Sequence, residues 1–135
     1  MKKLLALLLC AALCLILLPA LADEAEAVVS GDYEYVLLED GTAQITGYSG
    51  TADALEIPAE LDGLRVTQIG KRAFSMCDTL TRVTIPEGVT VIGDRAFAMC
   101  TALTDVTIPE SVTVIGERAF YACEVLNGVT IPEGV

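Results

Sequence analysis

The chain has 135 residues, with 19 acidic against 8 basic side chains, a formal net charge of −11 and no histidine. That charge repels nucleic acid and anionic lipid surfaces. The missing imidazole removes Ser-His-Asp and Cys-His catalysis together with the commonest metal ligand.

Met1-Lys2-Lys3 precedes an almost unbroken apolar run from Leu4 to Leu18, which Pro19 ends before the small residues of Ala20-Leu21-Ala22. A positive start, about 15 apolar residues and an A-x-A site predict a secretory signal peptide over 1–22. The run falls short of the roughly 20 residues a membrane span needs; retention as an uncleaved anchor is the competing reading. Cys10 and Cys14 each follow a leucine, where a lipoprotein signal needs a small residue, so lipidation is not expected. Cleavage removes Lys2 and Lys3 and no acid, leaving 6 basic against 19 acidic residues and a net charge of −13. Direct lipid binding is not expected after cleavage.

Residues 23–50 read as an end unit. Asp23–Ser30 is a polar, acidic lead-in, expected to be mobile. Tyr33–Leu38 and Thr42–Tyr48 then flank Glu39-Asp40-Gly41, and an Asp-Gly between two strand-like runs predicts a hairpin. Such a hairpin shields the open end of whatever stack follows.

From residue 51 onward the chain repeats. Val-Thr-Ile-Pro-Glu stands at Val83–Glu87, Val106–Glu110 and Val129–Glu133, and Leu80–Ala102 matches Leu103–Val125 at 16 of 23 positions. Units of this length form a solenoid, because one unit cannot bury its own apolar face. Fixing each backbone residue costs about 1–2 kcal/mol, while fully burying a large apolar side chain returns about 1.5–3 kcal/mol. With eight apolar positions among 23, a lone rung does not fold.

Within a rung, Val83 and Ile85 alternate with Arg82 and Thr84, the period of a half-buried strand. Pro86 ends that strand and Glu87-Gly88 turns the chain. Val89–Ile92 reads as a second short strand closed by Gly93. Asp94–Cys100 reads as a compact turn or a single helical turn that carries Phe97 and Cys100 inward. The inward columns are Leu80, Val83, Ile85, Val89, Ile92, Ala96, Phe97 and Cys100, repeated 23 residues later as Leu103 through Cys123. The first rung, 51–79, is degenerate. Leu55, Ile57 and Pro58 match Val83, Ile85 and Pro86, but five surplus residues make a loop around Leu61-Asp62-Gly63-Leu64. Complete rungs follow at 80–102 and 103–125, and a partial one at 126–135. The expectation is a mainly β solenoid of about 23-residue rungs, hairpin-capped at its N-terminal end and uncapped at its C-terminal end. Val135 falls inside a rung, so the sequence reads as a fragment of a longer product, with an edge covered by a partner as the alternative.

The run Ile-Pro-x-x-Val-x-x-Ile-Gly-x-x-Ala-Phe-x-x-Cys-x-x-Leu, here Ile85–Leu103 and Ile108–Leu126, resembles the leucine-rich repeat of the BspA-like type, also met in treponemal surface proteins. The resemblance covers nearly all of the chain after the leader, and the hairpin and looped first rung, Tyr33 to Gly70, share it. It implies a curved stack with a parallel sheet on its concave side, and a secreted or cell-surface protein, some relatives being adhesins for host matrix or plasma proteins. Better-known leucine-rich repeats carry an asparagine shortly after the strand. Gly88 and Ser111 lie there in this chain, so no asparagine ladder is expected.

Three sets of residues invite chemistry. Cys77, Cys100 and Cys123 recur once per rung and read as buried thiols packing as small hydrophobes, with a rung-to-rung disulfide or a metal site as alternatives. Glu87, Glu110 and Glu133 stack into an acidic column, a thin ligand set for calcium and most simply a solvated edge. Arg72, Arg95 and Arg118 form a basic column beside Asp94 and Glu117, read as surface pairs of little energetic worth. No cofactor or metal is expected, and repeated columns seldom build one unique catalytic site.

Outward positions that differ between rungs carry more information. Arg82, Asp105 and Gly128 share one outward strand position, flanked by the invariant Thr84, Thr107 and Thr130. Arg82, Thr84, Asp105 and Thr107 are therefore the candidate protein-binding face, for an extracellular protein, which the family resemblance implies can be a host protein. The function expected is that of a secreted or cell-surface binding module, not an enzyme. The alternative is a spacer segment of a larger surface protein whose active part lies elsewhere.

Overall fold

The computed structural model describes residues 26–135; the signal peptide expected over 1–22 lies outside them. The described residues are strands and turns without a helix, wound as a β-solenoid of about four turns. Strands β1 (Val28–Ser30), β2 (Tyr33–Leu37) and β3 (Ala43–Tyr48) are followed by β4 (Ala54–Glu56), β5 (Glu60–Leu61) and β6 (Leu64–Ile69). Then come β7 (Arg82–Thr84), β8 (Val91–Ile92), β9 (Asp105–Thr107), β10 (Val114–Ile115) and β11 (Gly128–Val129).

Each of the first three rungs contributes one strand to each of two sheets, and the partial fourth contributes β11 to the second alone. The first sheet runs β1-β2-β3-β6-β8-β10, with β5 paired to β6 at the side; the second runs β11-β9-β7-β4. Pairing between rungs is parallel throughout, with Val83 opposite Leu55 and Val106, and Ile92 opposite Ile69 and Ile115. Parallel, in-register stacking is what a 23-residue sequence period demands, since it places each residue type above its own copy.

The third side of the rung is a turn, not a helix. Its amides bond outward to the following rung: Arg95 to the Glu117 carbonyl at 3.0 Å, Phe97 to Ala119 at 2.8 Å and Met99 to Tyr121 at 2.7 Å, with Arg72, Phe74 and Met76 repeating the pattern one rung earlier. A helical turn would spend those amides internally. The ladder instead holds Arg72, Arg95 and Arg118 at φ of 59°, 54° and 57°, and Met76, Met99 and Ala122 at 63°, 61° and 59°. Side-chain-bearing residues are disfavoured there, and the bonds between rungs offset that strain.

All eight inward columns of the 80–102 rung are buried, Leu80 through Cys100 at 0–2 % exposure. The aromatic column is longer than the Phe repeat suggests. Phe97 stacks between Phe74 and Phe120, with centroids 5.1 and 5.5 Å away and rings within 7° of parallel. Beyond Phe74, Tyr48 and then Tyr33 continue the line at 5.4 and 5.2 Å, tilted by 36° and 46°. The hairpin thus closes the core with the same chemistry that fills it, and tyrosine suits the end because its hydroxyl can reach water.

Two expectations change at the N-terminal end. Val28–Ser30, placed by sequence in a mobile lead-in, pairs antiparallel with β2. The surplus loop of the first rung is a hairpin, β5 pairing β6 across Asp62-Gly63, both at positive φ (51° and 81°) as a tight two-residue turn requires. Asp62 ties these additions together: its carboxylate accepts from the Ser30 hydroxyl at 2.9 Å and the Tyr35 hydroxyl at 2.8 Å.

Where other repeats use asparagine, Ser111 works alone. Its Oγ accepts from the Gly88 amide at 3.2 Å and donates to the Val89 carbonyl at 2.7 Å, joining two rungs. Ser111→Ala leaves that amide unbonded and is expected to lower stability by about 1 kcal/mol, read as a shift of the urea midpoint at unchanged slope.

Candidate functional site

The second sheet presents the candidate face. Inward Leu55, Val83 and Val106 anchor it, so the residues on either side of each point to solvent. One outward column is Ala54, Arg82, Asp105 and Gly128; the next is Glu56, Thr84 and Thr107. The four sequence-selected residues are therefore brought together on adjacent strands. Glu56 belongs with them and was missed, although the match of Leu55 and Ile57 to Val83 and Ile85 places it over Thr84.

Arg82 and Asp105 engage each other, Nε to Oδ2 at 3.7 Å, with their side chains 67 % and 43 % exposed. Gly128 makes room for this: a Cβ there would lie 2.6 Å from an Asp105 carboxylate oxygen. An exposed pair of this length contributes at most about 1 kcal/mol, so both side chains are free to exchange it for a partner's groups. A shallow depression beside them is lined by Ala54, Leu55, Glu56, Arg82 and Thr84. At the strand entry, the Thr81 hydroxyl donates to the Asp53 carbonyl and the Thr104 hydroxyl to the Thr81 carbonyl, at 3.1 and 2.9 Å. The face is held by backbone and hydroxyl ladders, and its charged groups carry none of that load.

The other candidate sets resolve as follows. Cys77, Cys100 and Cys123 are thiols; Cys100 Sγ donates to the Phe74 carbonyl at 3.1 Å and Cys123 Sγ to Phe97 at 3.0 Å. Burial pushes the Cys100 thiol up to about 12, and raises Cys77 and Cys123 for the same reason. Tyr33, half-buried at the end of the aromatic column, is likewise pushed up to about 12 by its partial burial, with Tyr48 and Asp32 adding to the rise. The folded chain therefore holds protons that the unfolded chain releases, since free thiols and phenols ionise near 8.5 and 10. Stability is present in full below about pH 8.5 and falls as pH rises towards 12. A urea midpoint that declines between pH 8 and pH 10.5 is the expected result.

Glu87, Glu110 and Glu133 are exposed, and among the described residues no group of three or more acidic or thiol ligands is placed to hold a metal. The arginine column pairs less than expected. Arg118 meets Glu117 at 3.7 Å and lies 5.9 Å from the Tyr121 ring. Arg95 does not pair with Asp94, because that carboxylate accepts the Glu117 amide at 2.8 Å and so bridges rungs.

Comparison with known proteins places this architecture. A family model described as the BspA type leucine rich repeat region (6 copies) matches residues 54–135. The solved leucine-rich repeat protein of T. pallidum is 33 % identical, with a TM-score of 0.74, over 79 % of this chain and 50 % of its own length. A leucine-rich repeat protein from Bacteroides capillosus is 37 % identical with a TM-score of 0.74, covering 81 % of this chain and 84 % of its own. A leucine rich cell surface protein from Faecalibacterium prausnitzii is 36 % identical with a TM-score of 0.62, covering 84 % and 38 %. The chain thus spans half the length of the treponemal structure and less of the Faecalibacterium one. No curated protein matches it. With its repeat, its parallel pairing between rungs and the family match over residues 54–135 in agreement, the chain belongs to the BspA-type leucine-rich repeat family.

Proposed function

We propose that the chain is a secreted or cell-surface protein-binding module, adhesin-like towards extracellular host proteins, whose contact surface is the outward face of the second sheet. The observation that carries this reading is the contrast between columns: inward residues repeat from rung to rung, whereas Ala54, Arg82, Asp105 and Gly128 differ at one exposed position. Repetition is what packing requires; variation at an exposed, weakly committed pair is what recognition uses. Thr84, Thr107 and Glu56 frame the contact with hydroxyls and one carboxylate. The apolar leader, and the Faecalibacterium relative being a cell surface protein, support the surface location.

The test is an array of extracellular matrix and plasma proteins probed with the chain and with Arg82→Ala and Asp105→Ala. Each substitution is expected to leave the melting temperature nearly unchanged and to weaken a confirmed partner at least fivefold. Unchanged affinity removes the second sheet from the contact. A spacer role within a larger surface protein is the competing reading, favoured by the lengths of relatives beyond the matched part, and it requires that no array member bind.

A further inference from the structure

The first sheet carries a second outward face whose character changes along the stack. Its central column, set by strand register, is Gln44, Gln68, Val91 and Val114. The two glutamines bond each other at 2.8 Å; the two valines have no polar partner to offer, and Val114 is 50 % exposed. Beside them runs a threonine column. Thr42 and Thr67 join through their hydroxyls, and Thr90 and Thr113 donate to the carbonyl of the rung before.

The flanks change at the same point. In the first rung Lys71 stands at the register of Asp94 and Glu117 on one side, and on the other Arg65 stands at the register of Gly88 and Ser111, next to Glu87 and Glu110. In the next two rungs the chain supplies Glu87 and Asp94, then Glu110 and Glu117. Among the described residues Glu87, Glu110 and Asp94 form no ion pair, and Glu117 has only the exposed one with Arg118. An apolar centre thus appears where acidic side chains stand on both sides, Glu87 and Glu110 without an ion pair on one, Asp94 and Glu117 next to Arg95 and Arg118 on the other. The first rung folds with glutamine in the same register, so packing does not require the valines; among the acids only Asp94 has a structural duty, accepting the Glu117 amide.

We propose that this face, Thr90, Val91, Thr113 and Val114 between the Glu87/Glu110 and Asp94/Glu117 rails, docks a basic amphipathic helical segment of a partner protein. The segment lays its apolar stripe on the valines and its lysines or arginines on the rails. Thr90 to Gly93 spans about 10 Å of extended backbone, the width of a helix with its side chains, about 10–12 Å. Helices recognised in this way present apolar anchors at i, i+3, i+4 and i+7, and opposed charges set orientation and encounter rate. The basic first rung gives the site a direction: the acidic or uncharged end of the helix lies over Arg65 and Lys71. This surface is separate from the second sheet and does not depend on it.

The probe is an 18-residue Leu/Lys peptide with helical periodicity and a fluorophore, titrated by anisotropy against the chain. Saturable binding is expected, at least tenfold weaker for a scrambled peptide of equal composition. E110K/E117K is expected to weaken it at least tenfold and Val114→Asn at least threefold, while E56K/E124K, on exposed positions elsewhere, changes it less than twofold. No saturable binding overturns the proposal. So does equal binding of the scrambled peptide, or equal loss in E56K/E124K, because charge alone then explains the result. R82A/D105A is expected to be silent; loss there moves the helix to the second sheet and overturns this site without touching the proposed function.

Discussion

Phe97→Ala is expected to remove about 3–5 kcal/mol, the range for a buried aromatic truncated to alanine. The ring is fully buried and stacked on both faces, by Phe74 at 5.1 Å and Phe120 at 5.5 Å. Its loss opens a void in the column that links the hairpin tyrosines to the last complete rung, and neighbours held by rung-to-rung bonds cannot collapse into it. Small domains hold about 5–15 kcal/mol in total, so the variant sits near or below its unfolding midpoint in water. Phe97→Leu, which keeps most of the volume, is expected to retain a cooperative urea transition. A loss under 1 kcal/mol for the alanine variant contradicts the aromatic column as the organising element of the core.

Gly93→Ala is the second large effect, through the opposite mechanism. A Cβ at Gly93 would lie 2.8 Å from the Gly70 carbonyl carbon and the Lys71 nitrogen, and 2.9 Å from the Ile69 oxygen. All three are backbone atoms of the preceding rung, so no side chain can give way. The Gly93 amide also donates to the Ile69 carbonyl at 2.7 Å, and a methyl group at this corner pries that bond apart. The expected cost is about 2–3 kcal/mol, the upper part of the range for overpacking. Gly116 and Gly70 occupy the same column with nearest backbone contacts of 2.5 and 2.8 Å and are expected to behave alike. Gly134→Ala, with nothing within 4 Å and no positive φ, is the control and stays within about 0.5 kcal/mol of wild type. Chemical denaturation of the four variants separates the column from general loss of glycine flexibility.

The inward architecture was legible because stacking writes it twice. Val83, Ile92 and Phe97 recur at fixed spacing only if each lies above its own copy, and Pro86 marks its corner for a local reason, having no amide to continue the strand. Residues whose roles depend on contact between rungs were not legible. Nothing local to Arg95 or Met99 announces a positive φ; it follows from amides that reach the next rung. Asp94 looks like the partner of Arg95, yet its carboxylate serves the Glu117 amide. Val28–Ser30 has too short a pattern to read as a strand alone, and it forms one because β2 offers an edge. At the candidate face, Arg82 and Asp105 stood out as variable positions, while their pairing across strands and the space left by Gly128 needed coordinates.

The central claim is that the outward residues of β7 and β9 serve recognition and not the fold. It is tested most directly by calorimetric titration of R82A/D105A with a partner confirmed for the wild-type chain, at matched thermal stability. The expected result is binding at least tenfold weaker with the melting temperature unchanged. Binding at wild-type affinity by the stable double variant contradicts it.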